Sequence, residues 1–202
     1  MPRAAEGEFS WTQTTCSPIA SDPAEPGEAC TAENAGLSGV DDCGAGALCW
    51  EVDPTTDAGT CVALCLGTPA SPICEDPNTQ CVILDDLLIL CLHACDPITQ
   101  SCGRGRVCTF IEGVFACTPS LQTKAGPGDP CAFENDCDPG SFCADASTVP
   151  GCTSETCCSH FCDLTAADPD APCSLDGQTC VPWYAPGMAP PGLAHVGACA
   201  LP

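Results

Sequence analysis

One spacing recurs five times in this chain: a Gly or an Asn stands three residues before a Cys. The five pairs are Gly46 and Cys49, Asn78 and Cys81, Gly105 and Cys108, Gly140 and Cys143, and Gly177 and Cys180. Gly, and to a lesser degree Asn, tolerates a left-handed backbone, so the recurrence predicts one turn with positive φ that is built five times. The chain is therefore predicted to be an array of cysteine modules.

In each pair the Cys is the third of a group of four. The 20 grouped cysteines are predicted to form structural disulfides and are Cys30, Cys43, Cys49, Cys61, Cys65, Cys74, Cys81, Cys91, Cys95, Cys102, Cys108, Cys117, Cys131, Cys137, Cys143, Cys152, Cys162, Cys173, Cys180 and Cys199. With 23 cysteines in 202 residues, the chain has the density of a disulfide scaffold rather than of a reduced cytosolic enzyme. We therefore expect an extracellular or cell-envelope location.

Hairpin signals follow the turns, and we expect strand character to begin after the third Cys of each group. The clearest case is Glu112-Gly113 between two apolar stretches, and Asp85-Asp86 divides a second apolar run in the same way. Only 5% of the residues are aromatic, and 21 Pro and 19 Gly oppose long helices. The predicted fold is small and disulfide-rich, with tandem stapled β-hairpin modules, little helix and no single large core.

The pairing within a group of four stays open at this point, because four cysteines allow three connectivities. The crossed pattern, first with third and second with fourth, is favoured because it would brace the turn against the hairpin. Residues 1–29 are interpreted as the remnant of a truncated module plus a linker. Residues 30–117 are interpreted as three tandem modules, 118–130 as a linker, and 131–202 as two further modules.

Three cysteines fall outside the groups: Cys16, Cys157 and Cys158. Because the total of 23 is odd, at least one thiol has no partner within the chain, and Cys16 is the residue we expect to be unpaired. The segment from Met1 to Cys16 looks like the tail of the fifth group without its leading Cys, and it has no hydrophobic export signal. The expectation is that an export signal and a further half-module lie upstream of Met1, or that export uses another route.

Four further motifs are distinctive: Asp42-Cys43-xx-Gly46-xx-Cys49-Trp50, Cys95-Asp96-Pro97-xxx-Ser101-Cys102, Cys157-Cys158-xxx-Cys162-Asp163-Leu164 and Gly187-Met188-Ala189-Pro190-Pro191-Gly192. Through these motifs the chain resembles, over nearly its whole length, a cysteine-rich exported protein family abundant in myxobacteria. The resemblance implies export, a signal or lipoprotein segment and a disulfide scaffold. Some members carry the automatic name ribulose-phosphate epimerase.

The charge is strongly negative, with 27 acidic residues against four basic ones and a formal net charge of −23. Such a surface repels phosphate backbones, so no nucleic-acid partner is expected. No apolar run reaches the length that spans a bilayer, so no transmembrane segment is expected either. The partner is unknown and is expected to be extracellular or in the envelope.

The most suggestive cluster for metal or redox chemistry is Cys157-Cys158 beside His160. No C-x-x-C motif occurs, and the other two histidines, His93 and His195, are not at metal-ligand spacing. A vicinal disulfide, or two bridges leaving in different directions, is favoured over zinc.

Four acidic residues crowd a Pro-rich stretch and offer oxygen ligands of the kind that calcium takes: Asp163, Asp168, Asp170 and Asp176. They lack the Gly-centred loop and terminal Glu of an EF-hand, so a solvated acidic loop is the expectation.

The larger aromatic residues are Trp11, Trp50, Trp183 and Tyr184, and they are expected to cap the hairpins. The rival interpretation makes Pro182-Trp183-Tyr184 and the following Pro-rich loop an exposed recognition surface.

No nucleophile motif, catalytic triad or strand–helix repeat of a barrel epimerase is present, so no catalytic, cofactor-binding or metal residue is predicted and no cofactor is expected. The prediction is a non-catalytic exported scaffold that acts in binding, adhesion or cell-envelope structure. The alternatives are a calcium-dependent matrix protein and, by family naming alone, an enzyme.

Overall fold

The computed structural model of the chain consists of short β-strands, three one-turn 3₁₀ segments and the loops that join them. The residues that it describes are 1–4, 11–68, 70–84, 88–103, 105–120 and 124–202. All 23 cysteines lie in these ranges, and 22 of them form eleven disulfides. The predicted fold class is confirmed. Within the described ranges no helix is long and apolar enough to cross a bilayer.

The chain divides into two compact units, and the first spans Met1–His93. Its strands are β1 (Pro2–Ala4), β2 (Trp11–Thr14), β3 (Ala29–Thr31), β4 (Ala47–Trp50), β5 (Ala58–Ala63), β6 (Leu66–Thr68), β7 (Ser71–Ile73), β8 (Thr79–Leu84) and β9 (Leu88–His93). They form a three-stranded sheet in the order β3-β5-β4 and the pairs β1-β2, β6-β7 and β8-β9. A 3₁₀ segment covers Glu33–Gly36.

The second unit spans Ala94–Pro202. Its strands are β10 (Arg106–Ile111), β11 (Val114–Pro119), β12 (Ser141–Asp145), β13 (Thr156–Asp163), β14 (Thr179–Pro182) and β15 (Val196–Ala200). β10 pairs with β11, and the other four form one sheet in the order β12-β13-β15-β14. Two 3₁₀ segments cover Glu134–Asp136 and Ala146–Thr148.

The recurrent turn exists in all five modules. The backbone N–H donates to the carbonyl three residues earlier at Ala47, Thr79, Arg106, Ser141 and Gln178. Four of these turns have a Gly with positive φ at their third position, namely Gly46, Gly105, Gly140 and Gly177, with φ between 75° and 83°. A negative φ at the preceding Pro139 makes the Pro139-Gly140 turn type II, the type that requires φ > 0 at that place.

Asn78 is the exception, and the prediction of a positive φ there is wrong. The Asp76 carboxylate accepts hydrogen bonds from both the backbone N and the side-chain Nδ2 of Asn78, each at 2.9 Å. A side chain that folds back on its own turn in this way stabilises a turn without a left-handed residue. The second module thus reaches the same chain reversal by another local route.

The predicted hairpins are present. Glu112 and Gly113 have φ of 48° and 85° and join β10 to β11 as a two-residue loop, as the type I′ turn requires. β8 and β9 pair through Leu84 and Leu88, while the Asp85-Asp86 turn predicted between them lies outside the described residues. The first strand of each hairpin begins before the third Cys, directly after the turn or one residue later, so the expected start after that Cys is corrected.

The unit boundary after His93 differs from the predicted division at 118–130. The third module belongs to the second unit because its Phe115, fully buried, shares a hydrophobic core with Phe142, Phe161 and Val196 of the later modules. Sequence spacing could not reveal this packing, since the four residues come from four separate strands. In the first unit, one buried cluster consists of Cys30, Ala32, Cys43, Ala47, Cys49 and Cys61, so half-cystines themselves provide much of its core.

Candidate functional site: the stapled hairpin module

Each module contains a two-stranded hairpin, and the third and fourth cysteines of the module lie directly opposite each other on its two strands. This register holds for Cys49 and Cys61, Cys81 and Cys91, Cys108 and Cys117, Cys143 and Cys158, and Cys180 and Cys199. The facing residues do not bond to each other. Each one bonds instead to a cysteine upstream of the hairpin.

The bridges follow the crossed pattern in every module. The third Cys bonds to the first in Cys30–Cys49, Cys65–Cys81, Cys95–Cys108, Cys131–Cys143 and Cys162–Cys180. The fourth bonds to the second in Cys43–Cys61, Cys74–Cys91, Cys102–Cys117, Cys137–Cys158 and Cys173–Cys199. Both strands of each hairpin are therefore tied to the segment before it, which holds a module that has little apolar core.

The fourth module corrects one assignment. Its fourth Cys is Cys158, which pairs with Cys137, whereas the predicted member Cys152 bonds to Cys157. The cause is an insertion in the hairpin: the 3₁₀ segment Ala146–Thr148 and the loop after it lie between β12 and β13. The adjacent cysteines therefore form two bridges that leave in different directions, one of the two arrangements that the sequence left open.

The segments predicted as linkers before the first and fourth modules belong to those modules. Gly27 N–H donates to the carbonyl of Cys61 at 2.8 Å, and Cys61 N–H donates to the carbonyl of Glu28 at 2.9 Å. In the fourth module, Gly128 and Asp129 make the same two bonds with Cys158, both at 2.9 Å. This match identifies Cys158 as the counterpart of Cys61 independently of the disulfides.

A side-chain acceptor in the segment before the hairpin holds the backbone N–H of the third Cys in four modules. The acceptors are Asp41 for Cys49 at 3.0 Å, Gln100 for Cys108 at 3.0 Å, Glu134 for Cys143 at 3.1 Å and Asp170 for Cys180 at 2.7 Å. Each stands two or three residues before the second Cys. Since these hairpin strands lie at sheet edges, the acceptor satisfies an N–H that no neighbouring strand takes. This feature was not predicted from the sequence, although the polar residue that recurs at that offset is its signal.

Glu134, the acceptor in the fourth module, has a raised pKa. Burial raises the pKa of its carboxyl above the ordinary glutamate value, and the hydrogen bond from Cys143 only partly opposes that shift. The charged form of Glu134 therefore opposes folding relative to the neutral form.

Trp183 packs on the phenylalanines of the second unit. Its ring centroid lies 5.0 Å from Phe110 and Phe142, 5.1 Å from Phe161 and 5.9 Å from Phe115. These edge-to-face and tilted contacts support the capping interpretation and not an exposed Trp in a recognition surface. Tyr184 next to it is half-buried, and burial raises the pKa of its phenol.

Cys157 and Cys158, the cluster most suggestive of metal or redox chemistry in the sequence, are both in disulfides. Every group of three or more potential metal-ligand atoms found among the described residues consists of cysteine sulfurs, and all those cysteines are in disulfides. His160 is instead held by Ser141, its cross-strand neighbour, with 2.8 Å between Oγ and Nδ1. Ser141 is buried, so the pair offers no accessible nucleophile.

Two of the four aspartates considered as calcium ligands, Asp163 and Asp170, accept hydrogen bonds within the protein. Asp163 accepts hydrogen bonds from the backbone N and the hydroxyl of Thr165, and these lower the pKa of Asp163. Asp170 holds Cys180. Their carboxylates are used to fix loops.

The cysteine left over is Cys16, which is exposed and has no disulfide partner. It follows β2, whose pairing with β1 places Pro2 opposite Thr14 and Arg3 opposite Gln13. The interpretation of 1–29 as the remnant of a module stays a prediction.

A comparison with known proteins found no matching protein-family model, curated protein or solved structure.

Proposed function

We propose that the chain is a non-catalytic, exported scaffold that acts in binding, adhesion or cell-envelope structure. The observation that carries the proposal is the pairing of 22 of the 23 cysteines, ten of the eleven bridges following one rule. Disulfides persist in oxidising compartments and are rare in the cytosol. The resemblance to the exported myxobacterial family is part of this proposal.

The energetics support the scaffold role. Each bridge closes a loop of 5 to 26 residues in sequence separation and contributes about 2–4 kcal/mol in the chain-entropy picture. The modules are thereby held rigid while their loops stay on the surface, where loops on a fixed frame serve in binding. The charge of −23 keeps such an array soluble and repels anionic surfaces.

The experiment is cell fractionation of the native host followed by mass measurement of the chain without reduction. The proposal expects the chain in the extracellular or envelope fraction, with a mass lower by the hydrogens of eleven disulfides. The same chain expressed in a reducing cytoplasm is the control and should carry free thiols. Recovery from the native cytoplasm with reduced cysteines would overturn the proposal.

A further inference from the structure

Each module gathers its four cysteine sulfurs in one small volume. In all five modules, three sulfurs drawn from both bridges lie within 4.8 Å of one another. The fourth sulfur is bonded directly to one of these three, as Cys61 is to Cys43 in the first module. The two crossed bridges of a module are therefore neighbours in space. The five groups of three are Cys30, Cys43 and Cys49; Cys65, Cys74 and Cys91; Cys95, Cys102 and Cys108; Cys131, Cys137 and Cys158; and Cys162, Cys173 and Cys199.

The backbone of the module accounts for this grouping. In the first module, Cys49 and Cys61 face each other across the hairpin, while Cys30 and Cys43 stand in the segment to which they are bonded. Each of these four residues has at most 4% of its surface exposed. A closed site of four sulfurs, shielded from solvent, is the form that structural zinc takes in proteins.

As thiols, the four cysteines of a module have the number and the ligand chemistry that zinc requires. Zn²⁺ takes four Cys thiolates in a tetrahedron with Zn–S distances of about 2.3 Å, which places the sulfurs about 3.8 Å apart. In the reduced chain the bonded sulfurs separate, and a group that lies within 4.8 Å needs only a small shift to reach this geometry. The oxidised chain cannot bind zinc in this way, because sulfurs in disulfides are not thiolates.

We propose that the reduced chain, before its bridges form, binds one Zn²⁺ in each of the five modules through the four cysteines that form the two crossed disulfides. A newly made chain is reduced, since the cytosol keeps thiols reduced. Each ion displaces four thiol protons, so binding needs neither an oxidant nor a reductant. The charge of −23 attracts divalent cations to the chain.

Zinc bound in this way keeps the four cysteines of one module together and apart from those of the other modules. The correct partners are then already neighbours when oxidation begins. This inference goes beyond the scaffold role and does not depend on export, because it concerns the reduced chain alone.

The test uses the full chain, reduced with a phosphine, freed of metal and titrated with Co²⁺ as a spectroscopic probe. Five equivalents of Co²⁺ should produce the visible absorption of tetrahedral thiolate coordination, and five equivalents of Zn²⁺, which binds such sites more tightly, should remove it. Cys49→Ser removes one ligand of the first module and should lower the stoichiometry from five to four. Cys152→Ser, the matched control, removes a cysteine outside the five groups and should leave the stoichiometry at five.

Alkylation of the zinc-loaded, reduced chain gives a second readout. Mass spectrometry should find Cys16, Cys152 and Cys157 modified and the cysteines of the crossed bridges protected. Protection of Cys152 together with modification of Cys158 would overturn the proposal, because the fourth group contains Cys158 and not Cys152. A stoichiometry that Cys49→Ser leaves unchanged or that Cys152→Ser lowers would also overturn it, as would the absence of a tetrahedral thiolate spectrum.

Discussion

Cys143 lies directly opposite Cys158 across the β12–β13 hairpin, and each bonds to a cysteine upstream of that hairpin instead of to the other. The same relationship recurs in all five modules. Because both facing cysteines bond to the segment before the hairpin, both strands of the hairpin are fixed to that segment at neighbouring points. The module therefore holds its shape with very little apolar core, and it can be repeated along a chain that is poor in aromatic residues.

The two bridges from the adjacent cysteines of β13 should differ in their contribution to stability. The Cys152–Cys157 bridge has a sequence separation of 5 and the Cys137–Cys158 bridge one of 21. Chain entropy assigns them about 2 and about 3.3 kcal/mol, respectively. Replacing both cysteines of a bridge by Ala should therefore lower the free energy of unfolding less for Cys152–Cys157, as measured by denaturant titration. An equal or greater loss for that bridge would contradict the module rule.

Gly46 should not tolerate a side chain, for conformational reasons alone. Its φ is 78°, and a Cβ added there would meet no atom within 4 Å. Gly46→Ala should cost about 1–2 kcal/mol of stability. The matched variant is Asn78→Ala, at the equivalent position of the second module, where φ is not positive and only an exposed hydrogen bond to Asp76 is lost. That change should stay within about 0.5 kcal/mol. Thermal unfolding of both variants measures the two losses of stability. Losses of similar size would contradict the prediction.

Glu134→Gln should stabilise the protein near neutral pH. The folded-state pKa of Glu134 is raised by burial, so its charged form opposes folding above that pKa, and the penalty disappears as the pH falls through it. Gln keeps an oxygen for the N–H of Cys143 and removes the charge. The variant should have the higher unfolding midpoint at pH 7, and the difference should close at acidic pH.

Asp163→Asn is the control of opposite sign. Hydrogen bonds from the side chain and backbone of Thr165 lower the folded-state pKa of Asp163, so its charge favours folding above the unfolded-state pKa. This contribution is lost as the pH falls through the folded-state pKa. Asp163→Asn should therefore be less stable than the wild type at pH 7 and equal to it in acid. Finding the same sign for both variants at pH 7 would contradict the two assignments.

Trp183→Ala should destabilise the second unit by about 3–5 kcal/mol, because it empties the contact with four phenylalanine rings. Hydrogen exchange read by mass spectrometry should show the loss of protection within Ala94–Pro202. Phe133→Ala removes an aromatic ring that is 70% exposed, and it should change little. Unchanged exchange in the Trp183 variant would show that the cluster does not support the core.

Local chemistry made much of the module predictable. Gly140 after a Pro demands a type II turn, and Glu112-Gly113 demands a tight hairpin, because few residues accept the required φ. The positive φ predicted at Asn78 was wrong because the Asp76 side chain stabilises that turn without a left-handed residue. Cys152 was grouped wrongly because spacing alone does not reveal an insertion inside a hairpin.

The spacing of residues in the sequence could not predict contacts between modules. The cluster around Trp183 brings together residues from separate modules, and its geometry depends on how the hairpins pack. The acceptor role of Asp170 joins residues ten apart in the chain, so turn chemistry does not indicate it, and its signal in the sequence is the polar residue that recurs two or three positions before the second Cys of a module. The turns and hairpins that local chemistry determines were therefore predictable, while the side-chain contacts between modules were not.

The most direct test of the module rule is a disulfide map of the fourth module. The oxidised chain is cleaved after Glu155, which separates Cys152 from Cys157, and the linked peptides are fragmented between Cys157 and Cys158 in the mass spectrometer. We predict that Cys152 is linked to Cys157 and Cys137 to Cys158. A link between Cys137 and Cys152 would contradict the account, because the cysteine opposite Cys143 would then no longer be the one tied to the preceding segment.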